Sequence, residues 1–354
     1  MSQSSEKLRI FITSPLEAEH VERIRSVAPA DVEVVHEPDL LPPTRYIADH
    51  KGVEGFQRSE TQEQQWRRHL ADAQVLWDFP VAAPGQHHGL ALAPNVRWVQ
   101  TTSSGVGQLV KGLGIQGSEV LVTTARGVHA GPLAEFVLMA LLNHYRDLPH
   151  LQAEKNRRHW ARYGGDGLEG KTLAVIGAGS VGRRVLDMGR AFGMRTVFLG
   201  RPGATVTAAE IGADHMYPPG DMHAMLAASD AVVLSMPHTP ETEGLIDAAA
   251  MAAMKRGCVF VNVARGAVVD EPALVSALET GHLGFAALDV FAVEPLPGDS
   301  RLWDLPNVLI SPHSASTVAR ENELITDIFC RNLDRYLGGR IDEMENVLDK
   351  ARMY

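Results

Sequence analysis

The chain has 354 residues, 45% of them hydrophobic and 21% charged, with a formal net charge of -10; at roughly 150 residues per domain, this length points to two globular domains with substantial cores. The acidic balance argues against broad contact with nucleic acid or anionic lipid, and no apolar run approaches the length of a membrane span. Two cysteines, Cys258 and Cys330, are too few for a disulfide framework and point to a reducing compartment.

The first six residues are polar and lack the apolar stretch of a secretory signal, so the expected location is the cytoplasm. Segments 8–13, 32–35, 75–77 and 96–100 read as strands, and 17–27 and 60–73 as helices. That is the βα rhythm of a parallel sheet. Residues 37–65 interrupt it with prolines, charges and little periodicity, and long loops are more often functional or disordered than idle. A strongly apolar helix is expected at 132–145, followed by a polar, basic stretch at 151–162 and the breaker Gly164-Gly165-Asp166-Gly167.

From Thr172 the alternation restarts in a cleaner form. Strands are expected at 173–176, 196–199, 231–235, 259–263, 284–288 and 308–310, with a helix at 181–192. This is a doubly wound sheet of about six strands. A last helix, 318–337, ends at Gly338-Gly339. The expected fold is α/β: two Rossmann-like domains with doubly wound parallel sheets and a cleft between them. Residues 1–127 plus 316–354 would form a discontinuous substrate-binding domain and 128–315 the dinucleotide-binding domain, because the chain must return after its last cofactor-domain strand.

Gly177-Ala178-Gly179-Ser180-Val181-Gly182 is a G-x-G-x-x-G loop that directly follows an apolar strand and opens a helix. Gly177 permits the tight turn, Gly179 lets backbone approach a pyrophosphate, and Gly182 allows close helix–strand packing. An NAD site would carry an acid at the end of the next strand to bond the ribose 2′-hydroxyl. Here the tip is Gly200-Arg201-Pro202, with no carboxylate and a cation suited to a 2′-phosphate. NADP is the expected cofactor, with NAD possible.

Three later strands end in chemistry-bearing residues. Asn262-Val263-Ala264-Arg265-Gly266, Asp289-Val290-Phe291 with Glu294-Pro295, and Ser311-Pro312-His313 all fall where ligands gather in open α/β sheets. Reduction of a 2-oxo acid needs a fixed cation for the carboxylate, an acid to protonate the forming alkoxide, and a carboxylate to orient that acid. Arg265, His313 and Glu294 supply one of each. Singly, each has a plain explanation: Arg265 could pair with Asp270, His313 could be an interior histidine, and Glu294 could cap a turn.

These stretches resemble the D-isomer-specific 2-hydroxyacid dehydrogenase family, which includes glyoxylate/hydroxypyruvate reductases. The resemblance also takes in Ala125-Arg126-Gly127-Val128-His129-Ala130-Gly131-Pro132-Leu133-Ala134-Glu135 and Pro237-His238-Thr239-Pro240-Glu241-Thr242. It implies that Arg265 orients substrate, His313 is the general acid/base and Glu294 its partner. It implies that Asp289 meets the nicotinamide carboxamide and that Ser180, Val181, Pro237, Thr242, Val263 and Ala264 line the cofactor. Ser103, Ser104 and Gly105 correspond to a backbone-amide cradle for the substrate carboxylate. A homodimer through 132–145 and 151–170 is implied as well. Ser103, Gly107 and His238 depart from the family's usual residues, and the 37–65 excursion is long for it.

The expected activity is hydride transfer between NADP(H) and a small 2-oxo or 2-hydroxy acid, of glyoxylate/hydroxypyruvate type. The alternative is a dinucleotide-sensing regulator that keeps the fold without turnover. No metal is expected: no His-Glu-x-x-His or Cys-x-x-Cys occurs, and the adjacent His87 and His88 sit in a Pro-Gly loop.

Overall fold

A computed structural model describes residues 7–80, 89–203 and 205–353, so the polar start, residues 1–6, and His87 and His88 lie outside the described residues. The chain divides into two compact units: unit 1 is Met1–Val128 with Thr317–Tyr354, and unit 2 is His129–Ser316.

Unit 1 is built on a parallel sheet of β1 (Leu8–Ile12), β2 (Val32–Val35), β3 (Val75–Trp77), β4 (Trp98–Gln100) and β5 (Leu121–Thr123), in the order β2-β1-β3-β4-β5. Its inner strands are mainly apolar, with Arg9 and Gln100 the polar members, as suits a sheet covered on both faces, and Ile10, Phe11 and Ile12 have no exposed surface. Helix Glu321–Leu337 covers one face, where Phe329 stacks on Trp98 at 4.8 Å and meets Trp77 edge-on at 5.6 Å. Helix Glu60–Asp72 covers the other, its Trp66 meeting Phe11 at 4.9 Å. The returning C-terminal helix is thus part of the unit 1 core. Strand β5 was not among the strands expected from the sequence.

The 37–65 excursion is locally ordered. Leu40 and Leu41 are buried in the core, and the buried Asp49 carboxylate accepts from Arg45 Nε at 2.8 Å, Arg45 Nη2 at 3.0 Å and the Gly52 amide at 3.0 Å. A reciprocal Ser59/Gln62 capping box then starts helix Glu60–Asp72.

Unit 2 has seven parallel strands where six were expected: β6 (Thr172–Ile176), β7 (Arg195–Leu199), β8 (His215–Tyr217), β9 (Ala231–Leu234), β10 (Cys258–Asn262), β11 (Leu283–Leu288) and β12 (Val308–Ile310). The extra one, β8, is a short edge strand of mixed polarity that pairs only with β7. The order is β12-β11-β10-β9-β6-β7-β8. The chain starts inside the sheet at β6, builds outward to β8, and returns to place β9 on the other side of β6. The winding direction therefore switches between β6 and β9, where such sheets open a crevice at their carboxyl ends. The apolar helix Ala130–Tyr145 begins two residues ahead of the expected Pro132 and is followed by Leu148–Arg157. Among the described residues no helix is long and apolar enough to cross a membrane.

Candidate active site

The glycine loop leaves β6 at the switch point. Gly177 has φ +103°, and a Cβ there would fall 2.5 Å from the Met236 nitrogen, so the turn excludes any side chain. A Cβ on Gly182 would stand 2.0 Å from the Gly177 oxygen, which fixes helix Ser180–Ala191 against the loop. Gly179 differs: a Cβ there would meet nothing within 4 Å. The space over Gly179 is open, and among the described residues no side-chain cap occupies this helix N-terminus. First-turn amides and the positive end of the helix dipole are left facing that space, a combination that fits a pyrophosphate. Ser180 is exposed and Val181 half-buried at the same end.

Neighbouring turns crowd this loop. The Ser235 hydroxyl donates to the Gly177 oxygen at 2.7 Å, so the segment after β9 runs directly behind it. That segment continues into the Pro237–Thr242 turn, where the Thr242 hydroxyl donates to Pro237 O at 2.9 Å and accepts from the Thr239 amide at 2.8 Å. Pro237 is exposed. Arg201, two residues past β7, is also exposed. Arg183, another cation near the loop, donates to the Glu210 carbonyl at 2.7 Å.

The strand ends β10, β11 and β12 are adjacent, and each contributes to one cluster. Asn262, the buried last residue of β10, accepts from the Ala264 amide at 3.0 Å and donates to the Arg265 carbonyl at 3.1 Å. The Val263–Arg265 turn is thereby stapled, with Val263 and Ala264 buried and Arg265 exposed. Arg265 donates to the Ala264 carbonyl at 2.7 Å. Asp270, its alternative partner in the sequence, instead caps helix Glu271–Glu279. Gly266 lies hard against the next loop, since a Cβ there would fall 1.8 Å from the Phe291 oxygen. This close approach sets the Arg265 turn beside the loop that carries Glu294.

Glu294 is held at both oxygens. Oε1 accepts from the Phe291 amide at 3.0 Å, and Oε2 faces His313 Nδ1 at 2.7 Å. A carboxylate only accepts, so Nδ1 carries the proton of this bond and Nε2 is the imidazole nitrogen left for other chemistry. His313 has φ +54°, a left-handed conformation uncommon for a residue with a Cβ and frequent at functional sites. Nearly half of its side-chain surface, 47%, is exposed.

Asp289 takes a position that sequence reading did not foresee. Its side chain is buried, and Oδ1 accepts from Ser311 Oγ at 2.6 Å and from the Ser314 and Ala315 amides at 2.8 and 2.9 Å. Burial pushes its carboxyl above the ordinary value. Asp289 thus clamps the loop on both sides of His313. The β11–β12 register, Leu288 opposite Ile310, sets Asp289 across from Ser311 and is the signal that could have found it. Asn262 and Gly266 were likewise quoted in the sequence without a role. Among the described residues no group of three metal-binding side chains occurs.

Ser103, Ser104 and Gly105 belong to unit 1, in the exposed loop after β4. The Ser103 carbonyl accepts from Thr101 Oγ1 at 2.6 Å and from the Ala125 amide at 3.2 Å, which pins the start of the loop.

The chain is similar to known proteins. Residues 138–315 match the family model described as D-isomer specific 2-hydroxyacid dehydrogenase, NAD binding domain. A D-3-phosphoglycerate dehydrogenase of Mycobacterium bovis is 37% identical over 61% of this chain and 42% of its own length, so the chain spans well under half of that relative. A glyoxylate reductase of Aeropyrum pernix is 32% identical over 63% of this chain and 68% of its own. A solved structure of a D-isomer specific 2-hydroxyacid dehydrogenase from Xanthobacter autotrophicus, in complex with NADPH and MES, superposes with a TM-score of 0.73. It is 26% identical and covers 98% of this chain and 100% of that one.

Proposed function

Because the chain belongs to the D-isomer specific 2-hydroxyacid dehydrogenase family, we propose that it interconverts a small 2-oxo acid and its 2-hydroxy acid, of glyoxylate/hydroxypyruvate type, with NADP(H) preferred over NAD(H). The observation that carries this reading is the 2.7 Å contact between His313 Nδ1 and Glu294 Oε2, beside the turn that carries Arg265. When bound, the nicotinamide supplies or accepts the hydride.

The chain's own residues do the rest. Gly179 and the first-turn amides of helix Ser180–Ala191 hold the pyrophosphate, with Gly177 and Gly182 fixing their geometry. Val181, Pro237, Thr242, Val263 and Ala264 border the same ligand, and Arg201 takes the 2′-phosphate. Arg265 grips the substrate carboxylate and polarises the carbonyl, with the Ser103-Ser104-Gly105 amides as further donors. In reduction His313 Nε2 gives its proton to the forming alkoxide. Glu294 fixes the ring by accepting from Nδ1 at 2.7 Å. Asp289 meets the nicotinamide carboxamide and, through Oδ1, also positions the His313 loop.

The reading includes a cytoplasmic homodimer. Its support is two free cysteines and exposed apolar side chains on and after helix Ala130–Tyr145, among them Met139, Leu151 and Trp160. The test is oxidation of NADPH and NADH with glyoxylate, hydroxypyruvate, pyruvate and phenylpyruvate. Turnover with the first two and NADPH is expected. No turnover with any of them refutes the reading.

A further inference from the structure

Unit 1 carries a segment that the proposed chemistry leaves unused, residues 345–353, beyond helix Glu321–Leu337. Its base is fixed by the fully buried Asn332, which accepts from the Glu345 amide at 2.7 Å and donates to the Glu345 carbonyl at 3.0 Å. Asn346 then turns the chain with φ +58°, and its carboxamide donates to the Arg126 carbonyl at 2.8 Å. From there the segment runs antiparallel to β5, the edge strand of the sheet, with Val347 opposite Thr123. The Thr124 amide donates to the Asn346 carbonyl at 3.0 Å and the Leu348 amide to the Val122 carbonyl at 2.8 Å. Two ladder bonds thus tie the segment to the sheet from which the Ser103–Gly105 loop springs.

The far end of the segment reaches the residues that follow this loop. Leu348 is buried in the same apolar cluster as Val106 and Val110. The Lys350 ammonium donates to the Ser118 carbonyl at 2.8 Å and to its hydroxyl at 3.3 Å. Asp349 draws the chain into a turn: its carboxylate accepts from the Ala351 and Arg352 amides at 2.9 and 3.0 Å, and its carbonyl from the Met353 amide at 2.7 Å. That turn lays Met353 on Gly107, where a Cβ would fall 2.2 Å from the Met353 oxygen and 2.8 Å from the Met353 Cβ. Gly107 is buried and opens helix Gly107–Gly112, two residues past Gly105. Backbone rests on Met353 there, which only a residue without a side chain permits. The exposed stretch Ser103–Gly105 is therefore pinned at both ends, upstream by the bonds to the Ser103 carbonyl and downstream by the segment seated on Gly107.

Resting on the proposed reading, we infer that residues 346–353 are a strap that positions the Ser103–Gly105 loop for the substrate carboxylate, with Met353 on Gly107 as its bearing point. Lys350 and Met353 are positioning residues, acting through the backbone of the loop. Amides hold a carboxylate well only where their N–H groups are already fixed toward it, so a loop freed at its downstream end binds substrate less tightly. The carboxylate keeps its charge from ground state to transition state. Its grip is therefore uniform binding, which enters KM rather than kcat.

The experiment measures kcat and KM for hydroxypyruvate with NADPH in the wild type, Gly107→Ala, a variant lacking residues 350–354, and the two changes combined. The shortened variant keeps Leu348 and both ladder bonds. Each single change should raise KM about tenfold, with kcat within about twofold and NADPH titrating as in the wild type. The combination should lose no more than either alone, because the new methyl then has no Met353 to displace, and such non-additivity marks a shared contact. Lys350→Ala, which loosens the turn without shortening the chain, should raise KM about threefold and keeps the test open if the shortened variant does not fold. Losses that multiply in the combination place the effect of Gly107 in its own helix and overturn the inference. Unchanged KM in the shortened variant and in Lys350→Ala overturns it too, as does a fall in kcat or melting temperature with KM unmoved, the signature of fold support alone. A wild type inactive on every 2-oxo acid tested removes the reading beneath it, whatever the variants do.

Discussion

The glycine loop separates folding from ligand binding at residues only a few positions apart. In Gly182→Ala the new methyl would stand 2.0 Å from the Gly177 oxygen, with Ser235 Oγ at 3.0 Å, and the obstacle is backbone that cannot swing away. Overpacking of this kind costs about 1–3 kcal/mol, and a domain of this size loses about 2–4 °C of Tm per kcal/mol, so a fall of about 2–12 °C is expected. Gly179→Ala puts its methyl into open space, with no neighbour within 4 Å, and should melt within about 2 °C of the wild type. The same methyl stands where a pyrophosphate must approach the helix amides. Losing charge-assisted hydrogen bonds there costs about 1.5–3 kcal/mol, or about tenfold to a hundredfold in NADPH affinity. Thermal melts without cofactor and fluorescence titration with NADPH measure the two effects separately. The reasoning is refuted if Gly179→Ala binds NADPH like the wild type, or if Gly182→Ala melts like it.

His313→Ala should lower turnover by about a hundredfold to ten-thousandfold while NADPH titrates as before, because the imidazole serves the transition state. Glu294→Gln, which trades the 2.7 Å charge-assisted bond for a neutral one on a half-exposed ring, should cost about tenfold in kcat for reduction; steady-state and binding measurements on both variants check this, and near-normal kcat in His313→Ala sinks the acid/base assignment. Arg201→Ala should weaken NADPH about tenfold to a hundredfold more than NADH, and equal losses in the two titrations would remove Arg201 as discriminator; Arg183, tied to the Glu210 carbonyl, is poorly placed to substitute. In unit 1, Arg331, and then Arg335, hold the Glu345 carboxyl down to about 2 against an ordinary 4.5. A depressed carboxyl stabilises above its unfolded value and loses that contribution as pH falls through the folded one, so Glu345→Gln should be less stable by about 1–2 kcal/mol near neutrality, after allowance for solvent screening. Denaturant melts should show the difference closing between pH 4.5 and about 2; a gap unchanged at the acid end would refute the linkage.

The legible parts of the sequence were those with a period or a fixed chemical demand. Strands β2, β3 and β12 fall where the apolar runs end, and the glycine loop announced itself because Gly177 and Gly182 allow no Cβ. The illegible parts were short or held by tertiary contacts. The three-residue edge strand β8 takes its identity from pairing with β7. The 37–65 excursion looked irregular because its order comes from one buried carboxylate gathering Arg45 and Gly52, a knot with no repeat to detect.

The same distinction runs through the candidate site. Arg265, Glu294 and His313 could be picked out because the chemistry demands their side chains. What brings them together is carried by residues of no such demand: Asn262 staples the Arg265 turn, Gly266 lets that turn touch the Phe291 loop, and Asp289 gathers three donors around His313. None of these must touch a reacting atom for the site to need it. Gly266 carries this furthest, since a methyl 1.8 Å from the Phe291 oxygen would have to push apart the two loops that hold Arg265 and Glu294. A residue with no side chain thereby sets the spacing of the two charges on which the proposed chemistry depends, because only glycine permits backbone to approach backbone this closely.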